Sequence, residues 1–459
     1  MMLKTHHSNI PRVSGRAGPQ LKKSSRVPLV VRAVASPIDF NNNKRKTDSR
    51  PSVVRRDADG SRLFVDKEGQ VTKAMAADYG FRAGAGRLYE EHYGEVPSSV
   101  IELATQNFTH ELAQMRRAFR FRPHLDQVLQ KSPPKTALGK LNFDIAERIR
   151  SGLSNLDESL EGVGVLPKLD PPPPLSQAQL AEFDVIQEKL SRLTLDNDAV
   201  ARVEKERNQR YGELYSPLFV KLPFDALCLV LDVVYINRPI QKFWVLETVA
   251  RIPYFACISI LHLYESLGFW RAGAELRKIH FFEEWNELHH LQIMESLGGD
   301  QAWFDRFLAE HAAVLYYWVC IGFYLVSPKN AYNFMQRVEH HAADTYTEFI
   351  EENRELLASI PPPMVALNYY RNEDLYLFDS FQTCDSEAAT ECLVRRPACN
   401  NLLDVFINIR DDEDEHVKTM KACQNESIAR DLAKGRGECD LVRGDACQAE
   451  EWMRKALLC

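Results

Sequence analysis

Glutamate and histidine side chains at helical spacing are the residues of this sequence whose types suit metal chemistry. The segment EEWNELHHLQIMESLGG (283–299) is typical of one helix closed by a glycine pair, and it carries Glu287 three residues before His290. The segment RDDEDEH (410–416) holds a second such pair, Glu413 and His416. Because residues three apart share one face of a helix, each pair can reach one metal ion.

Two further segments each contribute one glutamate in apolar surroundings. Glu247 lies in KFWVLETVARIPYF (242–255), and Glu339 lies in NFMQRVEHHAADTYTEF (333–349). A charge on the inward stripe of a helix is costly unless it is paired or bound to metal. Four helices that together offer four glutamates and two histidines match the ligand count of a two-metal carboxylate bundle. Carboxylate and imidazole ligands suit iron in such a site.

Each of these residues also has an ordinary alternative. A Glu–His pair can decorate a helix surface, and a buried glutamate can pair with a nearby arginine, so either pair alone is a weak signal. The neighbouring Glu283, Glu284 and Glu295 fit solvated or supporting groups better than ligands. The prediction of a metal centre therefore rests on the six residues taken together.

The elements that must position these residues are long helices. Helical spacing predicts helices near 224–235, 239–267, 274–297, 301–326, 329–353 and 402–422, and strand-like alternation is missing from 211–424. This part of the chain is therefore predicted to be an all-α bundle. The stretches 222–236 and 312–326 are apolar but too short, or too interrupted by Asp225 and Asp232, for a membrane span. They are predicted to lie in a membrane interface, the alternative being two core helices of a soluble bundle.

The remaining chain is divided by composition. Residues 1–35 are basic, contain several serines and lack an acidic residue, which is typical of an organelle transit peptide, although a basic disordered arm has the same composition. Residues 36–210 are predicted to be a poorly ordered or partly helical extension, and 426–459 a cysteine-containing tail. A net charge of −7 gives no argument for nucleic-acid binding. The 10 cysteines form no CxxC pair, so free thiols are expected.

The motifs around the six residues resemble the alternative-oxidase family, and most closely its plastid branch. The matching strings are LETVARIPYF, HFFEEWNELHHLQIMESLGG, AYNFMQRVEHHAADTY, YYRNEDLYLFDSFQT and LLDVFINIRDDEDEHVKTM, within residues 211–425. The resemblance implies a ferritin-like four-helix di-iron bundle with additional interfacial membrane helices. It also implies an enzyme that oxidises plastoquinol and reduces O2 to water, peripheral to the stromal face of the thylakoid membrane and homodimeric.

The resemblance also implies roles for individual residues. The ligands of two iron ions would be Glu247, Glu287, His290, Glu339, Glu413 and His416, the set that spacing selects. Tyr346 would be the catalytic tyrosine, and Asn286 and Asp412 would orient ligands. The residues expected at the quinol pocket are Lys242, Leu246, His262, Tyr324 and Thr345.

The sequence departs from the family pattern in places, and it leaves other functions possible. Lys242 stands where an arginine is expected, and CDSEAATECLV (384–394) does not resemble a family segment. The alternatives are a mitochondrial ubiquinol oxidase, a ferritin-like iron-binding protein without quinol chemistry, and a metal-free helical scaffold.

Overall fold

The structure is a computed structural model of the 459-residue chain, and it describes residues 54–56, 62–65, 69–75, 99–121, 137–169, 185–269, 274–371 and 398–425. The strands are β1 (Val54–Arg56), β2 (Arg62–Val65) and β3 (Val71–Ala74). The helices are α1 (Val100–Arg120), α2 (Ala137–Gly162), α3 (Asn197–Tyr211), α4 (Leu218–Val234), α5 (Pro239–Ser266), α6 (Ala274–Ser296), α7 (Trp303–Val326), α8 (Pro328–Ala358), α9 (Met364–Arg371) and α10 (Leu402–Gln424). The predicted transit segment, the 384–394 segment and the tail lie outside the described residues.

The ends of the bundle helices follow from local sequence. Proline stands at the first position of α5 and α8, where its missing N–H is not needed. Before α10, the side-chain oxygen of Asn401 accepts a hydrogen bond from the backbone N–H of Asp404 at 2.9 Å. Helix α6 ends at Ser296. Two residues later Gly298 has a φ of 86°, which favours glycine, and the N–H of Gly299 donates to the carbonyl of Met294 at 2.9 Å.

Helices α5, α6, α8 and α10 form a four-helix bundle. Helix α8 packs along α10, and α5 packs against both α6 and α7. The core beside the bundle centre is aromatic: the ring of Phe243 stacks on Tyr346 with centroids 4.4 Å apart, and Phe349 and Phe406 pack edge to face at 4.9 Å. The prediction of an all-α bundle is confirmed, because these helices lie at the predicted positions.

The described part of the N-terminal extension contains more structure than the sequence pattern indicated. Strands β1, β2 and β3 form an antiparallel sheet in that order, and the backbone of Met75 donates to the carbonyl of Pro362 at 3.0 Å. Helices α1 and α2 are joined by a buried ion pair between Arg116 and Asp157. The strands span only three or four residues each, so alternation over that length gives little signal.

Two of the described helices, α5 and α7, are long and apolar enough to cross a membrane when judged only by length and composition. They differ in burial: half of the most apolar window of α5 is buried, against 17% of that of α7. Helix α5 is thus a bundle helix, whereas α7 presents an apolar face to the outside. Helix α4 likewise exposes Leu222 and Leu229 at 62% and 65%.

Candidate metal centre

The six predicted ligand residues meet inside the bundle, and none is more than 3% exposed. Each of the four bundle helices supplies one glutamate, and two of them add a histidine one turn later. The residues are Glu247 on α5, Glu287 and His290 on α6, Glu339 on α8, and Glu413 and His416 on α10. Spacing in the sequence predicts only which residues share a face of one helix. The packing of the four helices brings the six side chains together.

The donor atoms fall into two overlapping groups. Within each group, one ligand atom per residue lies within 4.8 Å of all the others. The groups are Glu247, Glu287, His290 and Glu413, and Glu287, Glu339, Glu413 and His416. Glu287 and Glu413 belong to both groups, whereas each group has its own histidine and its own further glutamate. This arrangement fits two metal ions bridged by two carboxylates.

The imidazoles approach the shared glutamates closely. Nδ1 of His290 lies 3.1 Å from Oε1 of Glu413. Nδ1 of His416 lies 3.0 Å from Oε1 of Glu287 and 3.4 Å from Oε2 of Glu413. Both rings therefore turn the same nitrogen toward the centre.

Several buried donor atoms at the centre lack hydrogen-bond partners, which is the expected state of atoms that bind metal. Within the described residues, Oε2 of Glu247, both carboxylate oxygens of Glu287 and Nδ1 of His290 make no hydrogen bond. A buried polar atom without a partner is costly, and metal coordination would satisfy these atoms. Oxygen-rich donor sets with one imidazole per ion suit iron, so the residues present fit a di-iron centre.

The electrostatics of the centre favour cations. Burial raises the pKa of Glu287 well above its ordinary value, and the nearby carboxylates of Glu413 and Glu247 raise it further. Burial likewise raises the pKa of Glu339 to about 8. Burial opposes ionisation of Glu413 as well, yet the imidazoles of His290 and His416 beside it lower its pKa. Two divalent cations would neutralise four carboxylates and remove this repulsion.

A hydrogen-bonded group orients His290 from behind. Nε2 of His290 lies 3.2 Å from Oδ2 of Asp412, so an N–H there donates to the carboxylate and leaves Nδ1 for the centre. The same oxygen accepts hydrogen bonds from Nδ2 of Asn286 and from the hydroxyl of Tyr370, both at 2.9 Å. Asn286 and Asp412 thus lie where ligand-orienting residues are expected. The spacing of the sequence gave no indication of Tyr370.

Two tyrosines contact the glutamates that are not shared. The hydroxyl of Tyr346 donates to Oε1 of Glu247. The hydroxyl of Tyr254 donates to Oε1 of Glu339 at 2.7 Å. Tyr346 was predicted from the sequence and Tyr254 was not, although Tyr254 stands seven residues after Glu247 and hence on the same face of α5.

An apolar cavity of about 180 Å³ leads to the centre between α4, α5, α7 and α8. Its inner wall includes Glu247, Glu339 and Glu413, and Lys242 and Leu246 also line it. Nζ of Lys242 donates to Oδ1 of Asp232 at 2.7 Å, which balances its charge. The apolar lining includes Phe224, Leu227, Leu231, Val249, Ala250, Pro253, Val338 and Ala342.

His341 is a further polar residue of the cavity wall. Its Nδ1 is buried and makes no hydrogen bond within the described part of the chain. Burial, aided by the nearby charge of Lys242, lowers the pKa of His341 to about 4, so the ring is neutral near pH 7. A neutral imidazole can accept a hydrogen bond from a hydroxyl group in the cavity.

The other residues expected at the quinol pocket lie elsewhere. Thr345 is buried, and its hydroxyl donates to the carbonyl of His341 at 2.6 Å. The hydroxyl of Tyr324 donates to Sδ of Met335 at 2.7 Å in the core. His262 lies on an exposed part of α5. Of the five, the structure brings Lys242 and Leu246 to the cavity wall.

Helix α3 reaches the same region from the N-terminal extension. Oδ1 of Asn197 accepts a hydrogen bond from Nζ of Lys242 at 3.0 Å. Arg207 pairs with Asp344 of α8 at 2.9 Å. These contacts join residues that are far apart in the chain, so the spacing of residues within one segment gives no indication of them.

Comparison with known proteins places a family match on this part of the chain. Residues 213–425 match the family model described as alternative oxidase. The chloroplastic/chromoplastic ubiquinol oxidase 4 of Arabidopsis thaliana is 52% identical over 200 residues, which cover 44% of this chain and 55% of that protein. The mitochondrial alternative oxidase 3 of Glycine max is 31% identical over 129 residues, 28% of this chain and 38% of that protein. The mitochondrial ubiquinol oxidase 1b of Oryza sativa subsp. japonica is 27% identical over 147 residues, 32% of this chain and 43% of that protein. The chain spans about half the length of these curated relatives, or less.

Proposed function

Because residues 213–425 match the family model described as alternative oxidase, we propose that the protein is a di-iron quinol oxidase. The reaction oxidises two quinols and reduces one O2 to two waters. The observation that carries the proposal is the pair of overlapping donor groups that share Glu287 and Glu413. Two bound ferrous ions would supply two of the four electrons that reduction of O2 to two waters requires, and the two quinols together supply four over the whole reaction.

The cavity suits the ring of a quinol. Its wall is almost entirely apolar, and it ends at carboxylates of the centre, so a ring that enters it comes close to the metal ligands. Lys242, Leu246 and His341 would contact the ring or its hydroxyl groups. Tyr346 also lines the cavity and donates to Glu247. A hydroxyl in this position can hold or pass a proton between the substrate and the carboxylate.

A quinol with an isoprenoid tail resides in lipid, so the enzyme must reach a membrane. Helices α4 and α7 expose large apolar side chains, among them Leu218 at 73%, Leu315 at 68% and Trp318 at 66%. Both helices also contribute to the cavity wall. This face therefore fits monotopic binding in a membrane interface, with the cavity opening beside the lipid. Flotation with liposomes tests this part of the proposal.

The plastid branch is favoured over the mitochondrial one by the higher identity to the chloroplastic/chromoplastic relative. The proposed substrate is accordingly plastoquinol, and the proposed location is the stromal face of the thylakoid membrane, reached through a transit peptide at residues 1–35. A homodimer is part of the same proposal. The role of the enzyme would be to relieve an over-reduced plastoquinone pool and to support carotenoid desaturation.

Quinol-dependent oxygen uptake by the purified, iron-loaded chain tests the proposed activity. Wild type is expected to consume O2 with a plastoquinol analogue faster than with a ubiquinol analogue, and Glu287→Ala is expected to be inactive. Import of the chain into isolated plastids and mitochondria distinguishes the two organelles. If wild type binds iron but consumes no O2 with either quinol, the proposed activity is wrong and the ferritin-like iron-binding alternative is supported.

A further inference from the structure

The two halves of the metal centre repeat one hydrogen-bonding arrangement. In one half, Tyr346 donates to Oε1 of Glu247, and Oε2 of the same glutamate lies 3.8 Å from Nδ1 of His290. In the other half, Tyr254 donates to Oε1 of Glu339, whose Oε2 also lies 3.8 Å from Nδ1 of His416. Each unshared glutamate therefore has one oxygen held by a tyrosine and one oxygen facing the histidine of its own group.

We propose that Tyr254 is a positioning residue that holds Glu339 in the orientation needed to bind the second metal ion through one oxygen. The inference rests on the proposed di-iron function and extends it to a residue outside the ligand set. A carboxylate with one oxygen engaged by a hydroxyl offers its other oxygen to the metal, whereas a free carboxylate can rotate and bind through both. Tyr254 thus serves Glu339 as Tyr346 serves Glu247.

The orientation of Tyr254 is itself fixed by its surroundings. The ring is fully buried and packs edge to face against the imidazole of His416, with centroids 5.5 Å apart. The imidazole of His280 is a second neighbour, with its centroid 6.1 Å from that of the Tyr254 ring. His280 is anchored in turn, since its Nδ1 lies 3.0 Å from Oε2 of Glu283 and its Nε2 lies 2.9 Å from the hydroxyl of Tyr332. The hydroxyl of Tyr254 therefore cannot leave Glu339 without disturbing this packing.

The inference is tested by iron retention and not by turnover. Tyr254→Phe and Tyr346→Phe each remove one hydroxyl and keep the ring. Tyr324→Phe is the matched control, because it removes a buried hydroxyl that donates to Sδ of Met335 and not to one of the six glutamates and histidines. Each full-length protein is loaded with ferrous iron without oxygen and titrated with a ferrous chelator. Loss of a group that orients a ligand typically weakens metal binding by about 10- to 100-fold.

Tyr254→Phe is expected to release one of its two irons at a chelator concentration about 10- to 100-fold below that of wild type, while Tyr324→Phe retains both. Mössbauer spectra of the loaded proteins distinguish the halves: Tyr254→Phe and Tyr346→Phe are expected to change the signals of different irons. A Tyr254→Phe protein with the chelator profile and spectrum of wild type overturns the inference, as does a change at the same iron in both variants.

The fold is checked separately by circular dichroism of the metal-free proteins. If Tyr254→Phe does not fold, Tyr254→Met replaces it, because it also lacks the hydroxyl and keeps an unbranched apolar side chain. A wild-type chain that takes up no iron overturns the proposed function together with this inference. If wild type binds two irons and the Tyr254 variant without the hydroxyl retains them equally well, only the role of Tyr254 is overturned.

Discussion

Replacing Glu287 by glutamine should have opposite effects on stability with and without metal. Glu287 is fully buried, and neither carboxylate oxygen makes a hydrogen bond within the described residues. Without metal, this carboxyl is held against Glu413 and Glu247, and burial raises its pKa. Glutamine has nearly the same shape and carries no charge. We therefore expect metal-free Glu287→Gln to be at least as stable as the metal-free wild type.

With metal the order should reverse. An ion that binds only the folded chain adds about 2.7 kcal/mol to the free energy of unfolding at 100 times its dissociation constant. In a domain of this size, each 1 kcal/mol raises the melting temperature by about 2–4 °C. Two ions should thus raise the wild-type melting temperature by about 10–20 °C. Glu287 belongs to both donor groups, so Glu287→Gln should lose most of this increase.

Thermal unfolding of both proteins, with a chelator and with ferrous iron under nitrogen, measures the reversal. Glu284→Gln is the matched control: it lies on the same helix, outside both donor groups, and near Arg251 at 4.0 Å. It should respond to iron as wild type does. If iron stabilises Glu287→Gln as much as wild type, Glu287 is not a shared ligand and the two-ion interpretation is wrong.

Three further predictions concern pH, the cavity and packing. In the metal-free protein, burial raises the pKa of Glu339 from 4.5 to about 8. Between these values the folded state keeps a proton that the unfolded chain has lost, so the free energy of unfolding should fall as pH rises. Melting temperatures measured across this pH range test the prediction, and a melting temperature that rises with pH would contradict it. Ala250→Trp places a large ring in the cavity wall and should raise the KM for quinol about 10- to 100-fold. As the control, the iron content of this variant is measured and should equal that of wild type. A Cβ at Gly299 would lie 2.5 Å from Cβ of Trp244, so Gly299→Ala should lose about 1–3 kcal/mol in urea unfolding. Gly322→Ala meets nothing within 4 Å in helix α7 and should instead gain about 0.5–1 kcal/mol.

The helices, and the two Glu–His pairs that lie one turn apart, could be predicted from sequence because both depend on spacing within one segment. Helix α5 was predicted at 239–267 and spans Pro239–Ser266, and α6 was predicted at 274–297 and spans Ala274–Ser296. Helix α4 was predicted to start after Pro223 but begins at Leu218. A proline within a helix removes one hydrogen bond, and here the helix continues through it.

Contacts between distant segments could not be predicted in this way. Periodicity states which residues share a helix face, and it does not state which helix covers that face. Tyr254 was missed because its acceptor, Glu339, is 85 residues away. The pairing of Arg207 with Asp344 spans 137 residues. Such pairs are fixed by the packing of α3 and α5 on α8, which the single sequence does not reveal.

Helix α5 explains why the metal centre and the cavity lie together. One face of this helix carries Glu247 and Tyr254 into the bundle, and the adjacent positions Leu246 and Ala250 form the cavity wall. A candidate ligand and the wall that borders it are thus fixed on one rigid element, so a ring held against that wall would keep a constant position relative to the candidate metal ligands. The same requirement explains a helix that is apolar on most of its surface and yet carries a buried carboxylate. The other three bundle helices bring the further carboxylates and imidazoles of the candidate metal centre to this charge.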